Sequence, residues 1–287
     1  DDPAARLYAD MQARACESVG IFHQLQELPG DARERELLAK LEELNADDSV
    51  TGVILQLPLP SQIDARRMQS AIVPEKDIEG VHPENLGRLF HGGGAIAPCT
   101  PKAVLELLLR ACGSLDDLAG REVVIVGHSE IVGKPVAMLL LGSQSRSPTV
   151  TVCHVATRDL AEHTRRADVL IVATGVVQSR WMAYQRRIDA GDTAPPPDFS
   201  PLIGADMVAE GAVVIDVGIN RIPRGLDESG RPMRDAFGRE VMQTVGDVDF
   251  GAVRAKASAI TPVPGGVGPV TVAVLLRNVI ACARARK

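Results

Sequence analysis

The residues whose types and spacing most directly imply chemistry lie in Val123-Val-Ile-Val-Gly-His-Ser-Glu-Ile-Val-Gly-Lys-Pro135. Four β-branched residues in a row predict a buried parallel strand, and Gly127 breaks it just before the apolar run Val136 to Leu141. A strand-to-helix turn of this kind suits phosphate. Its glycines let the backbone approach a pyrophosphate, whose charge is met by N–H groups and the helix dipole. The spacing departs from G-x-G-x-x-G, because Ser129 takes the middle position and Gly133 falls one residue late. On spacing alone the loop fits either a nucleotide site or a structural glycine turn. A second pair, Tyr8 and Gln12, stands four residues apart, one turn from each other on one side of a predicted helix.

The elements that must carry these residues follow from periodicity. From Ala4 to Val19, the residues Leu7, Tyr8, Met11, Ala15 and Val19 recur at helical steps, and Gly20 stops the run. A second helix is predicted from about Asp31 to Leu44. Val50 to Leu55 reads as a strand that delivers Gln56 at its carboxyl end, where parallel sheets hold ligands. Ser61 to Ala71 reads as a short helix capped by Ser61, Pro74 to Gly94 as a long loop, and Pro101 to Cys112 as a linking helix capped by Thr100. Strand Val123–Val126, helix Pro135–Leu141, strand Thr149–Cys153, helix Asp159–Arg166, strand Val169–Ala173 and strand Ala212–Val217 alternate as in a doubly wound sheet. Trp181 to Pro201, rich in Pro and Arg, reads as a surface excursion. Pro269 to about Arg284 reads as a last helix with Val270, Val274, Leu275 and Val279 on its apolar face.

A chain of 287 residues with 45% apolar content can build one large or two ordinary cores. A net charge of −6 leaves no basic stripe for nucleic acid. No run approaches the roughly 20 apolar residues of a membrane helix, so no bilayer partner is expected. Cys16, Cys99, Cys112, Cys153 and Cys282 are scattered and lack C-x-x-C spacing, which fits a reducing cytoplasm better than a disulfide framework. The histidines share no ligand spacing, so no metal is expected. Cys99 lacks an activating partner in the sequence and is read as packing, and no stretch reads as a signal or transit segment.

Five blocks in order carry a resemblance. Gly127-x-Ser129-x-Ile131-Val132-Gly133-x-Pro135 resembles the nucleotide loop of the bifunctional methylenetetrahydrofolate dehydrogenase/methenyltetrahydrofolate cyclohydrolase family. Gln56-Leu-Pro-Leu-Pro60, Pro74-Glu-Lys-Asp77 with Gly80, Pro98-Cys-Thr-Pro101 and Ile260-Thr-Pro-Val-Pro-Gly-Gly-Val-Gly-Pro269 are similar to the same family's motifs. The resemblance implies two α/β domains, the second a Rossmann-type doubly wound parallel sheet, with a catalytic cleft between them. It assigns residues 1–103 plus 265–287 to folate and 104–264 to the dinucleotide, and implies a family strand and helix ahead of Asp1. Tyr8, Gln56, Asp77, Glu79, Gly80 and the turn Pro264-Gly265-Gly266 would line the folate side. Gly127, His128, Ser129, Ile131, Gly133, Val155, Arg158, Thr174, Gly175 and Ile219 would line the cofactor side. The implied partners are tetrahydrofolate derivatives, NADP or NAD, and a second copy of the chain.

Three departures bear on activity. The family's cyclohydrolase step uses Tyr-x-x-x-Lys, and this chain has Tyr8-Ala-Asp-Met-Gln12, whose amide hydrogen-bonds but cannot exchange a proton near neutral pH. Of the lysines Lys40, Lys76, Lys102, Lys134, Lys256 and Lys287, only Lys76 stands in a folate-side block. The family's Lys-Asp-x-Asp-Gly becomes Lys76-Asp77-Ile78-Glu79-Gly80, which keeps the charge on a longer side chain. Family members that use NADP meet its 2′-phosphate with an arginine and a serine where this chain has His128 and Val155, and no NAD-type carboxylate closely follows Cys153-His154. Arg158 is the nearest basic substitute, and relaxed use of either cofactor is expected. The implied function is methylenetetrahydrofolate dehydrogenase with cyclohydrolase doubtful. The alternatives are the fully bifunctional enzyme and a non-catalytic folate- or nucleotide-binding protein.

Overall fold

The structure, a computed structural model, describes residues 3–94, 96–142, 146–193 and 195–286, and the side chains of residues 3–5 and 7 lie outside that description. The chain divides into two compact units, Asp1–Ala103 with Val270–Lys287, and Val104–Pro269. The switch to the first unit thus comes at Val270, leaving the Pro264-Gly265-Gly266 turn within the second.

In the first unit, α1 (Pro3–Ser18) buries Ala9, Gln12 and Cys16, while Met11 and Val19 of the expected apolar face are 45% and 57% exposed. The side chain of Leu7, also on that face, lies outside the described residues. Counting apolar residues missed the buried stripe because its middle member, Gln12, is polar. Helix α2 (Glu34–Ala46) sets Leu37 and Leu41 against Val53, Leu55, Ile63, Met68 and Ile72. The expected strand Val50–Leu55 pairs at one point only among the described residues, a parallel bridge between Val53 and Asp77. Helix α3 (Ala65–Ala71) starts later than expected. Its cap is Asp64, whose Oδ1 accepts from Arg66 N and Arg67 N, and not Ser61.

The expected loop over 74–94 contains α4 (Pro83–Phe90), with Pro83 in its first turn and His82 Nδ1 accepting from Glu84 N. Helix α5 (Cys99–Cys112) begins two residues ahead of Pro101.

The second unit is built on a parallel sheet of order β2-β1-β3-β4-β7. It runs through β1 (Glu122–Val126), α6 (Gly133–Leu140), β2 (Thr149–Cys153), α7 (Leu160–Thr164) and β3 (Val169–Val172). Ile125 and Ile171 face each other across the β1/β3 ladder, both wholly buried, and each such burial is worth about 1.5–3 kcal/mol. Neighbouring strands on the two sides of β1 run off in opposite directions of chain order, which makes the β1/β3 edge a topological switch point.

Where an irregular excursion was expected, α8 (Val176–Asp189) forms and buries Val177, Trp181 and Tyr184 against Ile222. Arg180, Arg186 and Arg187 on the same helix hid its apolar period. Then come β4 (Val213–Asp216), the antiparallel ribbon β5 (Asn220–Pro223) with β6 (Met242–Val245), α9 (Phe250–Arg254) and β7 (Ala259–Ile260). The ribbon had no counterpart in the sequence reading.

The last helix, α10 (Val267–Ala285), is long and apolar enough to pass as a membrane span by length and composition, contrary to expectation. Its buried Asn278 ties the helix to the rest of the first unit, since Nδ2 donates to the carbonyls of Ile78 and Ala97.

Candidate active site

Gln56 stands at the end of the extended segment from Val50, and its Nε2 donates to Gln12 Oε1 at 2.5 Å. Gln12 is 1% exposed, and its own Nε2 makes no hydrogen bond of full geometry among the described residues, although the side chain acts on the Tyr8 hydroxyl. An unmet buried N–H group costs about 1–3 kcal/mol, so the structure keeps a polar donor where a packed apolar side chain would be more stable. Tyr8 lies one turn earlier. Burial raises its hydroxyl above the ordinary tyrosine range, the nearby Cys99 and Glu79 add to this, and the Gln12 side chain works against them.

The two acidic residues of Lys76-Asp77-Ile78-Glu79-Gly80 have different surroundings. Asp77 is buried, and its carboxylate is occupied by its own loop: Oδ1 accepts from Gly80 N, and Oδ2 from His82 N and Asn85 Nδ2. It orders the turn that leads to Glu79. Burial, with the charge of Asp77 added, pushes Glu79 up to about 7, so near neutral pH it can either hold or release a proton. Gly80 makes this turn possible, with φ +77 and a would-be Cβ only 2.5 Å from the Ala97 carbonyl carbon.

Lys76 does not reach this group. Its Nζ donates to the carbonyls of Leu44, Asn45 and Asp47 at 2.8, 2.7 and 2.7 Å, which ties it to the carboxyl end of α2. Cys99 is held protonated, pushed up to about 12 chiefly by burial, and packs against Ile78 and Asn278.

In the second unit, Gly127 has φ +121, and a Cβ there would lie 2.2 Å from Ala173 O across the switch point. A Cβ at Gly133 would lie 2.0 Å from Gly127 O. Only glycine fits either place, so the β1–α6 turn folds flat against β3 and the first turn of α6 faces the strand ends. Such a turn fits a pyrophosphate. Ser129 shapes the loop, its Oγ accepting from Val132 N at 3.1 Å.

Around this turn three apolar side chains stand exposed: Ile131 at 45%, Val155 at 52% and Ile219 at 61%. They follow β1, β2 and β4, where flat rings could rest. The His128 and His154 rings meet edge to face, 5.1 Å between centroids. Arg158 is exposed nearby in the chain. Thr174 and Gly175 follow β3, and Gly175, at φ +59, caps α8.

The Pro264-Gly265-Gly266 turn follows a cis Val263–Pro264 bond. Gly266 permits it, since a Cβ there would be 2.5 Å from Pro262 O.

Three residues that the sequence reading passed over join the loops expected to line the cofactor. Asp216, Asn220 and Asp247 are buried and link the segments after β3, β4 and β6. The available signal was the pair of glycines beside them, Gly218 and Gly246, whose missing Cβ atoms make room for the carboxylates. Burial, opposed by backbone donors and reinforced by Asp247, pushes Asp216 up to about 7.

A doubly wound parallel sheet with a glycine-lined turn at its switch point defines a dinucleotide-binding α/β protein. Residues 1–79 match the catalytic domain of tetrahydrofolate dehydrogenase/cyclohydrolase, and residues 98–185 and 199–287 match its NAD(P)-binding domain. The chain belongs to the tetrahydrofolate dehydrogenase/cyclohydrolase family. It is 42% identical to the bifunctional protein FolD of Nautilia profundicola over 284 residues, covering 99% of this chain and 84% of that protein. The crystal structure of the FolD dehydrogenase/cyclohydrolase of Campylobacter jejuni superposes with a TM-score of 0.80 at 41% identity, covering 100% of this chain and 86% of that one. The Trypanosoma brucei enzyme, solved with NADP cofactor and an inhibitor, gives a TM-score of 0.80 at 32% identity, covering 99% and 84%.

Proposed function

We propose that this chain is an NAD(P)-dependent methylenetetrahydrofolate dehydrogenase whose cyclohydrolase step is lost or strongly weakened. When bound, the nicotinamide supplies the hydride acceptor. The chain's own work is then to bind and orient. The glycine turn at 127–133 holds the pyrophosphate, Thr174, Gly175, Ile131 and Ile219 hold the rings, and Gln56, Gln12, Tyr8 and Glu79 hold the folate. Orientation of this kind supplies up to about 7–11 kcal/mol of a barrier without any proton transfer. Hydrolysis of a methenyl product is different, because water must lose a proton.

The observation that carries the reading is Gln12: buried, bonded to Gln56, and presenting an amide N–H₂ that donates but does not titrate. One observation favours a second reading. Glu79, pushed up to about 7 beside Tyr8, is a proton carrier matched to neutral pH, and it could serve hydrolysis in a fully bifunctional enzyme. Lys76 supports neither reading, with its ammonium taken by three carbonyls.

The test is a paired assay on the purified chain: methenyl formation with NADP and with NAD, and methenyl decay above the spontaneous rate. Dehydrogenation without accelerated decay is the expected result. Accelerated decay that Glu79→Gln abolishes would replace the first reading by the second. Cofactor and folate binding without turnover would make the chain a binding protein only. A homodimer and a cytoplasmic location belong to the same proposal; the five free cysteines suit a reducing compartment, and sedimentation would test the dimer.

A further inference from the structure

Asp216 and Asp247 are 3% and 0% exposed, yet among the described residues the hydrogen bonds their carboxylates accept come from neutral donors. Asp247 Oδ2 accepts from Thr174 N at 2.7 Å, Thr174 Oγ1 at 2.8 Å and Gly175 N at 3.0 Å, and its Oδ1 accepts from Asn220 Nδ2 at 3.0 Å. Asp216 lies behind it. Its Oδ1 accepts from Gly218 N at 2.9 Å and from the Asp247 N–H at 3.2 Å, and its Oδ2 accepts from Val248 N at 2.9 Å.

The backbone is moulded onto both carboxylates. A Cβ at Gly218 would lie 2.3 Å from Asp247 Cγ, and one at Gly246 would lie 1.9 Å from Asp216 Oδ2. Asn220 extends the tie, its Oδ1 accepting from Gln178 N in the first turn of α8. Burying two carboxylates is expensive unless each is well bonded. Neutral side chains would serve folding at lower cost, so the arrangement calls for a reason in the loops that it joins. Those loops are Thr174–Gly175 after β3, Gly218–Asn220 after β4 and Gly246–Val248 after β6.

We propose that Asp247, seated on Asp216, is the positioning residue of the cofactor side. It holds Thr174–Gly175 and, through Asn220 and Gly218, Ile219 in one fixed arrangement, so that a nicotinamide nucleotide binds without first ordering three loops. Lost loop ordering is a direct cost to affinity. The inference rests on the cofactor-side reading of Thr174, Gly175 and Ile219, and Asp247 acts through them without touching the nucleotide.

The test uses the whole purified chain with Asp247→Asn, and reads NADP and NAD affinity by titration calorimetry without turnover. Tetrahydrofolate affinity, circular dichroism and the melting temperature are measured on the same samples. The expected result is a folded protein with unchanged folate affinity and cofactor Kd raised about tenfold or more, as for the loss of one charge-assisted hydrogen bond. In turnover, the cofactor KM should rise by the same factor while kcat at saturating cofactor stays within about threefold.

Should Asp247→Asn fail to fold, Gly218→Ala displaces the same carboxylate and reads the same quantity. A folded variant of either kind with unchanged cofactor affinity overturns the proposal. Ile219→Glu separates the two layers of inference. If it weakens cofactor binding and Asp247→Asn does not, only the positioning role fails. If neither does, the cofactor-side reading itself fails and takes the proposal with it.

Discussion

Gln56 Nε2 donates to Gln12 Oε1 at 2.5 Å, and Gln12 Nε2 is the one buried side-chain polar atom among the described residues that makes no hydrogen bond of full geometry, although the side chain acts on the Tyr8 hydroxyl. A buried donor without an acceptor costs stability and is retained where a ligand can satisfy it. Tyr8 sits one turn away and Glu79 is close enough to perturb it, so the orphan donor belongs to a polar cluster of the first unit. On the proposed function, the groups of this cluster bind and orient the folate. The side chain best placed to complete a Tyr-x-x-x-Lys proton relay is an amide.

Gln12→Lys should therefore restore hydrolysis. An amine at this buried place would be destabilised as a cation and would titrate closer to neutrality, as a general base requires. Methenyl decay should rise by about 10²-fold or more over the unaltered chain, while dehydrogenase kcat changes much less. Unchanged decay in a folded Gln12→Lys protein would mean that the block lies elsewhere.

Glu79 gives a stability prediction with a definite sign. Its folded-state pKa, about 7, lies above the ordinary 4.5, so the folded chain holds the proton more tightly than the unfolded chain. Its contribution to stability is then fully present below 4.5 and is lost as pH rises to about 7. Glu79→Gln removes this loss. The variant's advantage in unfolding free energy should grow by about 2 kcal/mol between about pH 5 and pH 8. Urea denaturation at the two pH values measures it, and a difference that does not change with pH would mean that the fold does not raise the Glu79 carboxyl.

Much of the second unit was legible because a parallel strand buried on both faces writes itself as a run such as Val123 to Val126, and because Gly127 must be glycine where it meets Ala173. The first unit was less legible. The buried stripe of α1 runs through Gln12, a residue that periodicity counts as surface, and Val50–Leu55 is extended with almost no ladder to identify it. Helix α8 was hidden by its own arginines, and the ribbon β5–β6 by strands of four residues each. Asp216 and Asp247 were hidden for a different reason. Their importance lies in donors from three separate stretches of chain, at Thr174–Gly175, Gly218–Asn220 and Asp247–Val248, and no local spacing encodes that.

Lys76 should prove structural. Its ammonium satisfies three carbonyls at the end of α2, and burial, with the charge of Arg286 added, lowers its pKa below the usual lysine range. Lys76→Met keeps the stem and removes the donors. It should cost about 2–4 kcal/mol in unfolding free energy and leave methenyl decay where it was. A stable Lys76→Met protein with altered decay kinetics would return the residue to the folate side.

Cofactor choice is the last point at which a single residue can be tested. The first side chain after Gly127 is His128, packed edge to face on His154, with the exposed Val155 next in the chain. Among the described residues, positions 128 and 155 thus offer neither a fixed cation for a 2′-phosphate nor a carboxylate for a ribose hydroxyl, so the unaltered chain should accept both nucleotides. A kcat/KM preference for NADP above about 200-fold, or ~3 kcal/mol, would contradict this. His128→Arg introduces a guanidinium that stays charged at every working pH and can bond a phosphate through two parallel N–H groups. It should raise the NADP-to-NAD ratio of kcat/KM about tenfold or more at low salt, and the gain should shrink as ionic strength rises. A ratio that does not move would mean that the 2′-position lies away from this turn, towards Arg158. Arg158→Ala should then lower NADP affinity alone.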